Sequence, residues 1–180
     1  MKRRCLLIGL QAGLLLFAII QAKAADIRAE AIATIDSVGQ KFVGLAEAIP
    51  EDRYAWRPGE GVRSVREVFL HVAAANYSLP AMIDFPTPEG VDPKEVTAVS
   101  RKSEVVESLK ASFAHVRLAL EEMPDEDLGK PLKAFGQERT YQGMMLFIIE
   151  HLGEHLGQSI AYARANGVVP PWSEPPPAPE

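Results

Sequence analysis

The chain has a single cysteine, Cys5, in 180 residues. One thiol cannot form an internal disulfide, and it cannot supply a thiolate cluster or a CxxC redox pair. Positive charge is also short. Lys and Arg number 19 against 24 Asp and Glu, a formal net charge of −5, and the only basic cluster is at Lys2, Arg3 and Arg4. Nucleic acids and anionic membrane surfaces are bound through clustered cations, so this balance argues against both as partners. There is no internal repeat, which excludes a solenoid, and no segment holds a sustained period of two, which leaves no basis for a sheet-dominated fold. Histidine is scarce, with four in the chain.

Long apolar runs are confined to the start, "MKRRCLLIGLQAGLLLFAIIQAKAADI". A basic opening, a mostly apolar stretch from Leu6 to Ile20 and the small-x-small pattern Ala22-Lys23-Ala24 read as a signal peptide over 1–24. The apolar stretch is shorter than the ~20 residues of a bilayer span, which favours cleavage over a permanent anchor. Cys5 precedes the apolar core, too early to become a lipidated cysteine, so the mature chain should have none. Cleavage removes Lys2, Arg3, Arg4 and Lys23 and no acid, four positive charges that take the net charge from −5 to −9. The expectation is an exported protein, periplasmic or secreted, with no stable membrane anchor after cleavage. Residues 25–169 fit one domain. At the other end, "VVPPWSEPPPAPE" is too rich in proline for a helix or central strand, and residues 170–180 are expected to form an extended tail.

Between these ends the apolar spacing predicts four helices. Ile27, Ala31, Ile35, Val38, Phe42, Leu45 and Ile49 mark one helical face, and Pro50 stops it. Ser64-Val65-Arg66-Glu67 is a capping box opening a second helix with Val65, Val68, Val72, Ala75 and Leu79 inward. The prolines and glycine of "FPTPEGVDPKEV" predict a loop. Ser103 is placed to cap a third helix with Val105, Leu109, Phe113, Val116 and Leu120 inward, ending at Met123-Pro124. "DEDLGKPLKAFGQERT" reads as a connection with room for a short extended piece. Thr140 then precedes the longest helix, Tyr141 to Asn166, with Gly167 positioned to close it in the left-handed conformation. The predicted fold class is all-α, a four-helix bundle.

His151 and His155 lie one turn apart on that last helix and project in the same direction, the spacing of a bidentate clamp on a metal. Two hydrogen-bonded or exposed histidines are the competing reading. The stretch also spells His-x-x-Glu-His, the inverted zinc-protease signature. That reading needs a downstream glutamate ligand, and the acids beyond the helix are Glu174 and Glu180 in the proline tail. A third imidazole is available upstream. His71, in "VREVFLHVAAANY", flanks the inward stripe of the second helix, and a bundle bringing that face to the last helix would let it meet the pair. A lone buried histidine bonded to a carbonyl remains its alternative. His115 lies about 200° round its helix from Phe113, with Ser108 and Ser112, and is expected to be solvated.

The stretches "YAWRPGEGVRSVREVFLHV" and "HLGEHLGQSIAYARANGVVPP" resemble the DinB/YfiT-like superfamily of metal-dependent proteins, over roughly Ile27 to Trp172. The resemblance implies a helical bundle, and it places the family's metal triad on His71, His151 and His155. Family members commonly carry arginine directly after the last histidine, where this chain has Leu156. Gln158 can orient a ligand imidazole, or else be a surface amide. Glu154 would be a proton shuttle if it faced a metal, but it sits about 100° behind His155 and is expected to be solvated or in a salt bridge. Trp56 and Arg57 are expected to pin the end of the bundle, and Gly153 and Gly157 to allow close helix contact.

Together these readings imply a divalent ion, with zinc first and nickel, iron or manganese as alternatives. The function expected is a metal-dependent hydrolase or transferase acting on a small molecule. A non-catalytic metal- or ligand-binding bundle is the runner-up, and a structural bundle without metal a third reading. Thiol-dependent transfer has the family's precedent, but low-molecular-weight thiols concentrate in the cytoplasm, so export favours hydrolysis. A homodimer is left open as the assembly.

Overall fold

The computed structural model describes residues 27–173. The expected signal peptide over 1–24 and residues 174–180 of the proline tail lie outside the described residues. No helix among the described residues is long and apolar enough to cross a membrane.

Four long helices build the core. Helix α1 spans residues 27–48, α2 Val65–Ser78, α4 Lys102–Glu122 and α5 Tyr141–Ala165. The predicted stripes face inward: Ile35, Phe42, Leu45 and Ile49 are buried with Val68, Phe69, Leu109, Val116, Leu120, Ile148 and Leu152. Phe42 is the hub. Its ring meets Phe69 of α2 edge-on at 6.4 Å and Phe113 of α4 at 5.7 Å. Burying one such side chain contributes about 1.5–3 kcal/mol.

One α-helix was absent from the four-helix expectation. Pro93–Val96 forms a short helix, α3, started by Asp92, whose carboxylate accepts from the Lys94 amide at 2.8 Å. The loop predicted there is therefore partly helical. Pro131–Ala134 (β1) pairs antiparallel with Gln137–Thr140 (β2), with Ala134 opposite Gln137. This hairpin realises the short extended piece. Its two strands of four residues are too short and too exposed to show a period of two.

The helix ends follow from named side chains. The Ser64 hydroxyl accepts from the Glu67 amide at 3.3 Å, and the Glu67 carboxylate accepts from the Ser64 amide at 2.7 Å. The predicted capping box is present. At α4 the expected cap was two positions late: the cap is Arg101, the helix begins at Lys102, Ser103 lies inside its first turn, and Glu104 reaches back to the Arg101 amide at 3.1 Å. The Lys102 ammonium donates to the Glu47 and Ile49 carbonyls at 2.7 and 2.8 Å, a cation set against the C-terminal end of α1. Thr140 caps α5 by accepting from the Gly143 amide at 3.1 Å. Gly167, at φ 75°, closes it: the Gly167 amide donates to the Arg164 carbonyl and the Val168 amide to the Ala163 carbonyl.

The expected extended tail begins instead with a turn. Pro171–Ser173 forms a single 3-10 turn, and the Lys41 ammonium of α1 lies 5.9 Å from the Trp172 ring.

Helix α2 uses two faces. On one, Asn76 donates to the Ser112 hydroxyl of α4 at 3.2 Å in a buried contact. Roughly 140° round the helix, His71 is turned toward α5.

Candidate metal centre

His71 comes from the second turn of α2, and His151 and His155 from the middle of α5. The three rings, each half-buried, converge. His71 Nε2 lies 3.2 Å from His151 Nε2. The ring centroids of His71 and His155 are 4.7 Å apart, and those of His151 and His155 4.6 Å. One ring nitrogen from each of the three can be chosen so that all lie within 4.8 Å of one another.

Each ring is held by its own elements. The start of α2 is laced to the preceding turn, where the Val65 amide donates to the Trp56 carbonyl and the Arg66 amide to the Tyr54 carbonyl, both at 3.0 Å. Arg57 pairs with Glu67 at 3.2 Å and donates to the Val62 carbonyl. Trp56 meets Tyr162 edge-on at 5.3 Å. Trp56 and Arg57 thus pin this end of the bundle as expected. From Tyr162 a chain of contacts leads back to the histidines: Gln158 Nε2 donates to the Tyr162 hydroxyl at 3.0 Å, and Gln158 Oε1 faces His155 Nδ1 at 2.9 Å. An amide oxygen accepts, so the His155 proton sits on Nδ1 and leaves Nε2 as a free lone pair. Gln158 is therefore the hydrogen-bond partner of a triad histidine.

Burial favours the neutral form of two of the three rings, His71 and His151. Loss of solvent lowers His71 to about 4, helped by the charges of Arg63 and His155. Loss of solvent also lowers His151 to about 4, helped by His155, His71 and Arg63. Neutral imidazole is the form that binds metal. The geometry suits one: a tetrahedral zinc with bonds of ~2.0–2.1 Å holds its nitrogens about 3.3–3.4 Å apart, close to the His71–His151 spacing. His151 Nδ1 is buried without a partner. The three residues could hold a divalent ion and fit the chemistry of one.

Other sequence expectations divide. Glu154 is exposed, as predicted. Leu156 is buried among the core residues. His115, predicted to be solvated, is buried, its ring 5.2 Å from Tyr77 and 4.9 Å from Phe85. The short segment after α2 folds back and covers that face, which helical periodicity alone does not reveal. His115 Nε2 has no partner, and burial lowers its pKa. Gly153 and Gly157, expected at a helix contact, are exposed, and a Cβ at either would meet nothing within 4 Å. The close approach is at Gly39 instead, where a Cβ would lie 2.9 Å from the Phe113 ring. Sequence reasoning missed Arg63 and Tyr162. Tyr162 stands four residues past Gln158 and seven past His155, a spacing that puts all three on one side of α5.

A family model described as the DinB superfamily matches residues 34–159, well over half of the chain. The chain belongs to the DinB superfamily. A DinB-like protein from Bacillus subtilis has a similar structure, with a TM-score of 0.63 at 23% identity, covering 78% of this chain and 93% of its own. One from Bacillus cereus gives 0.65 at 16% identity, covering 74% of this chain and 89% of its own. A conserved protein from Enterococcus faecalis gives 0.63 at 18% identity, covering 74% of this chain and 93% of its own. At these identities the likeness is one of fold. No curated protein matches the chain. The DinB match spans both halves of the site, reaching from α1 through His71 to His155 and Gln158.

Proposed function

We propose that this DinB superfamily protein is exported, binds one divalent ion through His71, His151 and His155, and hydrolyses a small-molecule substrate. Zinc is the first choice of ion. The observation that carries the reading is the convergence of three half-buried imidazoles from two helices, with two of their nitrogens 3.2 Å apart. Zinc bound by three neutral imidazoles keeps an open position, and supplies Lewis acidity and a lowered pKa for coordinated water. The chain's own residues prepare that site. Gln158 fixes the tautomer and ring orientation of His155. Burial and the Arg63 charge hold His71 and His151 deprotonated. The basic start, apolar core and Ala22-Lys23-Ala24 support export, and export favours hydrolysis over transfer to a cytoplasmic thiol.

A second reading, a metal-binding bundle without catalysis, is favoured by one observation. Among the described residues no carboxylate is hydrogen-bonded to the triad, and Glu154 is exposed, so no general base is in place. Metal analysis of protein purified from its own host, followed by zinc titration of the stripped chain and a screen of small esters, tests both. One equivalent of metal with zinc-dependent ester cleavage supports the hydrolase. Metal without turnover supports the second reading, and the absence of stoichiometric metal defeats both.

A further inference from the structure

A cavity of about 420 Å³ opens beside the triad, with His71 and His151 at one end. Ala75 of α2 and Leu79 just past its end line it, and Phe135 and Phe147 form its far wall, so its surface is predominantly apolar. Pockets of this size and character take the apolar part of a small ligand, with a few polar groups at one end to orient it.

The wall is built at a cost. Phe135 and Gly136 form the two-residue turn of the hairpin, at φ 51° and φ 76°. Both central residues of such a turn need positive φ, which suits Asn-Gly and is strained for a bulky side chain. Phe135 is 58% exposed nonetheless, so burial in the fold does not repay the strain. Its contact is with Phe147 of α5, at 5.1 Å between centroids, and the Arg139 guanidinium lies over the Phe147 ring at 4.8 Å. A strained, exposed aromatic beside a ligand-sized cavity is the pattern expected of a residue kept for binding.

The polar end has a definite sign. Three neutral imidazoles leave the charge of a divalent ion uncompensated. The Arg63 guanidinium acts electrostatically on both His71 and His151, and among the described residues it has no ion-pair partner.

We infer that the cavity is the subsite for the apolar tail of an anionic small molecule, whose carboxylate-type head lies at the histidine end and whose chain runs along Ala75 and Leu79 to the Phe135–Phe147 wall. The position of the head rests on the metal reading of the triad; the tail subsite stands on the cavity itself. Each methylene buried there strengthens binding by about three- to fourfold.

Calorimetric titration of the full chain with butyrate, octanoate and octylamine, each with and without zinc, tests this. Octanoate should bind on the order of a hundredfold more tightly than butyrate, and more tightly than octylamine. Two variants should each cut the octanoate-to-butyrate ratio by about tenfold, two buried methylenes' worth. Ser78→Phe fills the cavity from an exposed position on its lining. Phe135→Asn removes the wall while placing a favoured residue in the turn, and should melt no lower than wild type. An octanoate-to-butyrate ratio near one, equal binding of octylamine, or a ratio unchanged in both variants overturns the inference. Loss of zinc binding with the ratio intact in zinc-free protein sinks only the metal reading; zinc binding with a ratio near one sinks only the tail subsite.

Discussion

His155 Nδ1 and Gln158 Oε1 stand 2.9 Å apart on successive turns of α5, and this one contact fixes which nitrogen of the imidazole is free. Gln158→Ala should leave His155 able to rotate and to change tautomer. Zinc affinity should fall by about tenfold, the lower end of the range for removing a partner that orients a ligand. Competition titration against a chromogenic chelator reads it, and an unchanged affinity would mean that Gln158 serves only to hold Tyr162.

Alanine at His71, His151 or His155 should abolish tight zinc binding, because each removes one of three protein donors. His115→Ala is the internal control, and its expected behaviour is specific. Zinc affinity should stay at the wild-type level while the fold loses about 2 kcal/mol, since the ring is buried between Tyr77 and Phe85. Zinc titration alongside urea denaturation separates the two effects. If His71→Ala binds as tightly as wild type while His115→Ala does not, the site is misplaced.

His71 and His151, each lowered to about 4, set the pH behaviour of the metal-free protein. In the unfolded chain both imidazoles protonate near the ordinary ~6.5, whereas in the fold they stay neutral until about pH 4. The unfolded state therefore binds more protons across that window. Stability present above ~6.5 should be lost progressively as the pH falls toward 4, and the double variant His71→Ala, His151→Ala should flatten the slope. Denaturation at pH 7, 6 and 5 measures it. For the same reason zinc should remain bound to the folded protein at pH 5.5, below the value at which ordinary histidines release it.

Glycine substitutions should move stability in opposite directions. Gly153→Ala adds a methyl group to an exposed position with nothing within 4 Å, and the gain in helix propensity should stabilise by about 0.5–1 kcal/mol. Gly39→Ala gains the same propensity but drives a Cβ to 2.9 Å from the Phe113 ring, and the overpacking should leave a net loss of about 1 kcal/mol. Thermal melting of the two variants should show shifts of opposite sign.

The sequence made some of this legible because the signals were local. A Ser-x-x-Glu box, a Thr before an apolar run, a Gly after it and two histidines a turn apart each need only their neighbours to be read. What escaped was non-local. The burial of His115 depends on Phe85 arriving from the connection that follows α2, and the importance of Gly39 depends on Phe113 coming from α4. Strands of four residues carry too little pattern to announce a hairpin, and a Phe-Gly turn lacks the Asn or Asp that would mark one. The meeting of His71 with the α5 pair lies between these cases. The helix face was readable, but the partner of that face is set by the bundle's topology.

His71 and His151 are 80 positions apart in the chain. An ion held between them would act as a reversible cross-link in a protein whose one cysteine rules out a disulfide of its own. A covalent bridge over a loop of that size removes about 4–5 kcal/mol of chain entropy from the unfolded state. A metal clip ties the same loop, but its contribution depends on supply: above the dissociation constant, each tenfold rise in free ion adds about 1.4 kcal/mol to the folded state. The stability of the fold would then report the metal content of its surroundings, and a chelator would act on this protein as reductant acts on a disulfide-bonded one.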